Sequence, residues 1–87
     1  MPEVSRFYGI IIKMFFNDHL PPHFHAEFGE FRAMIGINTG EIIDGDMPKK
    51  QLKLIQAWAI LHENELIANF EGLRKLPVFW HEIDPLK

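Results

Sequence analysis

Three of the five histidines in this chain fall within Asp18-His19-Leu20-Pro21-Pro22-His23-Phe24-His25. His23 and His25 are separated by one residue, and on an extended strand such residues share a face. Two imidazoles so placed can address one metal ion, as pairs of histidines do in many zinc sites. His19, in the preceding loop, offers a third donor, giving His19, His23 and His25 as candidate ligands for a divalent metal such as zinc. Glu27 continues the same strand face, giving His23, His25 and Glu27 as the candidate catalytic group. For general acid–base chemistry the pairs are Glu27 with His25, or Asp18 with His19. No cofactor is demanded by these residues, since polar side chains on a solvated strand face would read the same way.

Other chemistries are poorly served. The chain has no cysteine, which excludes thiol nucleophiles, disulfides and thiolate–zinc sites. Ser5 is the only serine and lies near the N-terminus, and there is no glycine-rich phosphate loop. His62 falls on the apolar stripe of a helical segment, where a lone histidine is a core-edge residue with one hydrogen bond. His81, beside Trp80, reaches the histidine face only if the C-terminal tail returns across it.

Lys49, Lys50 and Lys53 gather at the start of that helical segment. Cations there oppose the helix dipole, which gives them as candidates for contacting a phosphate or an acidic partner, against the simpler reading of a solvated helix face. With a net charge of -3, non-specific nucleic-acid binding is not favoured. No helix-turn-helix pattern supplies a specific alternative.

The elements that must position these residues follow from periodicity. Phe7 to Phe16 is β-branched and aromatic on both faces and reads as a covered strand. Pro21-Pro22 keeps the chain extended before the next strand. His23 to Phe28 and Phe31 to Ile37 flank Gly29-Glu30, a pair suited to a type II′ hairpin turn. That turn sets Phe28 opposite Phe31, Ala26 opposite Ala33 and Phe24 opposite Ile35 as one apolar face. The other face pairs Glu27 with Arg32, a cross-strand ion pair, His25 with Met34 and His23 with Gly36.

Asn38-Thr39-Gly40 leads into a short strand at Glu41 to Asp44. Asp46 is a candidate N-cap with Pro48 in the first helical turn. Leu52, Ile55, Ala59, His62, Leu66, Phe70 and Leu73 then recur at helical spacing. This stripe fits one long helix ending at Gly72 as C′, or two helices broken around His62 to Asn64. Val78 to Ile83 is a final short strand or an apolar tail over the core. The expected class is α+β: an antiparallel sheet of four or five strands in the order β-β-β-β-α, with an optional last β and one long or kinked helix on one face.

With 87 residues, the chain holds one domain, 1–87, with a modest core. Hydrophobic residues make up 47%, including eight Phe, enough to leave surface for a homodimer or partner. The apolar run from Phe7 to Ile12 is too short to span a membrane, so a soluble, cytoplasmic protein without a membrane partner is expected.

The opening Met1-Pro2-Glu3-Val4-Ser5-Arg6-Phe7-Tyr8-Gly9-Ile10, the segment Asn17 to Ala26 containing Pro-Pro-His-Phe-His-Ala, Thr39-Gly40-Glu41, Trp58 to His62 and Glu65-Leu66 together resemble the bacterial family catalogued as domain of unknown function 4160. The resemblance runs over nearly the whole chain. It departs in Val78-Phe79-Trp80-His81, which is more aromatic than the family pattern. It implies a small protein encoded beside another small protein, in a toxin–antitoxin-like pair, and brings no catalytic residues with it. Two functions are therefore carried forward: a protein-interaction module of such a two-gene system, and a metal- or histidine-dependent hydrolase or nuclease using the His23/His25 face.

Overall fold

The computed structural model describes residues 2–87. Five strands run in chain order: β1 (Glu3–Phe7), β2 (Ile10–Lys13), β3 (His23–Phe28), β4 (Phe31–Gly36) and β5 (Ile42–Gly45). Two helices follow, α1 (Lys49–Leu61) and α2 (Glu63–Gly72). Each strand pairs antiparallel with the next, so the sheet is an open meander in the order β1-β2-β3-β4-β5. The class is α+β, as expected.

The single strand read from Phe7 to Phe16 is instead a hairpin. Tyr8 and Gly9 both take positive φ, 50° and 79°, as a tight primed turn requires. The chain therefore reverses where the apolar run looked continuous. The preceding Glu3–Phe7 segment becomes an edge strand, and Tyr8 and Phe16 are exposed rather than covered. Ile10, Ile12 and Met14 keep their inward alternation and are fully buried.

The β3–β4 hairpin has the expected register at all six positions, from Phe28 opposite Phe31 to His23 opposite Gly36. Gly29 supplies the positive φ of 58° at the first turn position. The short strand expected at Glu41 to Asp44 lies one residue later, ending at Gly45.

Both helices cover the same sheet face. Trp58 is fully buried, with Phe7 at 5.3 Å and Phe24 at 5.8 Å between ring centroids. Ile55, Leu66 and Phe70 complete the inner side. Burying each of these large side chains contributes about 1.5–3 kcal/mol.

The helix divides at His62, one of the two arrangements the stripe allowed. His62 has φ -123° and ψ 26°, which takes the chain out of helical geometry for one residue. Its Nδ1 lies 2.6 Å from Glu65 Oε1, the single core-edge bond expected of it. Two helix ends differ from expectation. Pro48, not Asp46, occupies the N-cap, with no side-chain cap; Asp46 Oδ1 accepts from the Met47 amide instead. Gly72 is the last helical residue rather than C′.

The reason for Gly72 is the tail. Residues 78–87 form no regular element and lie over the core end, so Val78 to Ile83 is the apolar tail and not a strand. Asn69, fully buried in α2, grips it twice: Nδ2 donates to the His81 carbonyl and Oδ1 accepts from the His81 amide. Ile83 is buried and its amide donates to Val4 of the edge strand, while Trp58 Nε1 donates to the Asp84 carbonyl. Phe79 crosses so close to Gly72 that a Cβ there would meet the Phe79 carbonyl oxygen at 2.1 Å. No described helix is long and apolar enough to cross a membrane.

Candidate functional site: a histidine–carboxylate centre

The β2–β3 connection carries Asp18 back over the start of β3. Met14 continues the β1–β2 pairing through its amide to the Pro2 carbonyl, and the Asn17 amide then bonds the Leu73 carbonyl at the end of α2. Asn17 takes a φ of 52°, a conformation Asn tolerates better than most residues. The turn leaves Asp18 facing the first and third residues of β3. One oxygen, Asp18 Oδ2, lies 2.9 Å from His23 Nε2 and 3.0 Å from His25 Nε2. These three donor atoms all fall within 4.8 Å of one another.

The two histidines differ in setting. His25 stands on the outer sheet face, partly exposed, with the Phe15 ring edge-on at 4.3 Å. His23 is fully buried beneath the connection, with Phe70 of α2 at 5.7 Å and the His25 ring at 5.1 Å. Its Nδ1 is 2.7 Å from the Pro21 carbonyl oxygen. A carbonyl can only accept, so Nδ1 carries the proton, and in the neutral ring Nε2 presents a lone pair. That buried Nε2 makes no hydrogen bond of acceptable geometry, despite its closeness to Asp18.

The Asp18 carboxyl is held below its ordinary value. Burial, the largest influence, would raise it. The His25 hydrogen bond, the His23 charge, the His19 backbone N–H and the His25 charge together outweigh that effect.

The other sequence candidates lie apart. His19 is on the exposed loop, its side chain 71% accessible, with Nδ1 3.4 Å from Asp18 Oδ1 and outside the group of three donors. Asp18, considered in the sequence only with His19, takes the third place. Glu27 pairs with Lys13 of β2 at 3.2 Å, not with Arg32, although the Glu27–Arg32 register is as expected. Lys13 reaches it because β2 flanks β3 on the other side, with Lys13 opposite His25 and Ile11 opposite Glu27. Lys49, Lys50 and Lys53 are exposed and form no ion pair among the described residues. His81 reaches Glu65, at 3.8 Å, rather than the histidine centre.

Among the described residues, no helix side chain lines the outer sheet face beside His25. A shallow groove of about 470 Å³ opens there beside His25, walled by Phe15 and Met34 and bearing Glu27, Arg32 and Asp44. His25 is thus shared between the donor group and an open surface. The arrangement can hold a cation, relay a proton between Asp18 and His25, or present both to a bound molecule.

Searches of curated proteins and of solved structures return no match. Residues 9–71, from the first turn through nearly all of α2 and including Asp18, His23 and His25, match the family described as Domain of unknown function (DUF4160), and the chain belongs to that family.

Proposed function

We propose that this protein is an interaction module that binds a second small protein, in a toxin–antitoxin-like two-gene system. The observation that carries the reading is a set of exposed apolar side chains at one pole of the fold. Phe16 and Leu20 are 54% and 61% accessible on the β2–β3 connection; Leu76, Val78 and Phe79 are exposed in the tail. Two backbone bonds bring these segments to one place. The Asn17 amide donates to Leu73, and the Phe79 amide donates to Gly72, the residue before it. Isolated exposed apolar residues such as Tyr8 and Ile43 need no explanation, but several gathered at one end fit a partner surface. The histidine centre lies at the same pole, since His23 packs against Phe70.

The test is co-expression with the product of the neighbouring gene, followed by size exclusion at about micromolar concentration. A single co-eluting species is expected. Two separate peaks, each at the position of the isolated protein, would contradict the proposal.

A second reading, a histidine-dependent hydrolase or nuclease, is favoured by the convergence of His23 and His25 on Asp18 beside an open groove. In it His25 Nε2 is the acid–base group, Asp18 orients it, and Arg32 on the groove wall attracts an anionic substrate. Hydrolysis of a phosphodiester substrate that survives His25→Ala unchanged would eliminate this reading.

A further inference from the structure

We infer that Asp18, His23 and His25 form a three-donor site for a divalent first-row transition metal. The ligand atoms are Asp18 Oδ2 and the two Nε2 atoms, with a fourth position left to water. The inference rests on the centre alone, independent of any partner.

The strongest observation is His23. Its Nδ1 proton is committed to the Pro21 carbonyl at 2.7 Å, so in the neutral ring Nε2 is a lone pair aimed into the centre. The side chain is completely buried and Nε2 has no hydrogen bond, though a carboxylate oxygen is 2.9 Å away. With the ring neutral, these are two electron-rich atoms that repel at that distance unless a cation lies between or beside them. A metal ion resolves this at both atoms. It also explains why Nε2 misses the direction of a hydrogen bond to Oδ2, because ligands point at a common centre rather than at one another.

The spacing and surroundings agree. Ligands of a tetrahedral zinc ion stand roughly 3.3 Å apart at zinc–nitrogen distances of about 2.0–2.1 Å. The two distances to Oδ2, 2.9 and 3.0 Å, need only a few tenths of an ångström of spreading. The Pro21 carbonyl holds the His23 ring in the tautomer that coordinates through Nε2, as metal-bound histidines ordinarily require. His25 Nε2 now donates to Oδ2; coordination through Nε2 takes the neutral ring with its proton on Nδ1 instead, and the ion replaces that hydrogen bond. Two imidazoles and one carboxylate suit zinc, iron(II) or cobalt(II) better than the all-oxygen preferences of calcium or magnesium. The two prolines position the donors. Pro21 supplies the carbonyl, and Pro22 leads into the strand that spaces His23 and His25 along one face.

The experiment uses the untagged full-length chain, stripped with chelator and titrated with zinc by calorimetry, with histidine side-chain nitrogen resonances followed in parallel. One zinc ion per chain is expected, with micromolar or tighter affinity. The Nε2 resonances of His23 and His25 should move to metal-bound positions while those of His62 and His81 stay. His25→Ala, at a partly exposed position that should not disturb folding, should abolish uptake at the same zinc concentration, and Asp18→Asn should weaken it. His19→Ala should retain it. The inference is overturned if the wild-type chain shows no saturable uptake, if His25→Ala binds as well, or if the shifts fall on His19, His62 or His81 instead.

Discussion

Gly72→Ala should destabilise this protein, although the same change inside a helix ordinarily stabilises by roughly 0.5–1 kcal/mol. The reversal comes from the tail. A Cβ at Gly72 would lie 2.1 Å from the Phe79 carbonyl oxygen and 3.0 Å from its carbon, both backbone atoms that no rotamer change can move. The tail must lift there. The first loss is the Phe79 amide bond to the Gly72 carbonyl, worth about 1 kcal/mol. If displacement spreads to His81, the two bonds from Asn69 are strained as well, another 1–2 kcal/mol or so. Complete release would also expose Ile83, at about 1.5–3 kcal/mol. Local lifting that stops before Ile83, offset by the helix gain, gives a net loss of about 1–3 kcal/mol. Urea denaturation of both proteins measures this directly, and amide exchange at His81 and Ile83 reports whether the tail has loosened. An alanine variant as stable as the parent or more so, with His81 and Ile83 still protected, would refute the docking of residues 78–84.

Further expectations follow from other contacts. Gly45→Ala forces a φ of 89° on a side chain and sets its Cβ 2.2 Å from the Arg32 carbonyl oxygen. It should cost more than about 2 kcal/mol and unpair β5, visible as lost amide protection at Asp46. Trp58→Ala should cost about 3–5 kcal/mol by thermal or chemical unfolding, since the ring is fully buried between the sheet and the tail. For the metal-free protein, the folded Asp18 carboxyl lies below its ordinary value of 3.8. Its ionised form therefore contributes stability above that value, and the contribution fades as pH falls through the depressed folded value. Asp18→Asn should flatten this acid-side slope, and equal slopes in the two proteins would contradict the linkage. Phe16→Ser with Phe79→Ser should weaken the partner complex by tenfold or more, about 1.4 kcal/mol, while leaving the unfolding midpoint nearly unchanged.

Much of the sheet was legible because one turn fixed it. Gly29-Glu30 sets the β3–β4 register, and with a side-chain period of two, every face assignment in the hairpin follows. The Tyr8-Gly9 turn was hidden because its neighbours are apolar on both sides, so the run scanned as one strand and the only sign was a lone glycine. The helical stripe allowed a break at His62 without deciding it, since a single non-helical residue leaves the spacing nearly intact. The histidine pair was legible from strand alternation. Asp18 as its companion was not, because a loop's return path depends on long-range bonds such as Asn17 to Leu73. Glu27 was assigned to Arg32 for want of the other neighbour: only the β2–β3 register brings Lys13 alongside.

The central claim, that a partner protein seats on the pole formed by the β2–β3 connection and the tail, is tested most directly by amide hydrogen exchange. The chain would be measured alone and with the neighbouring gene's product in excess. Slowed exchange concentrated in residues 16–20 and 73–79, with the outer turns at Tyr8-Gly9 and Gly29-Glu30 unchanged, is the predicted result. Unchanged exchange at that pole, or protection confined to the opposite end of the sheet, would contradict it.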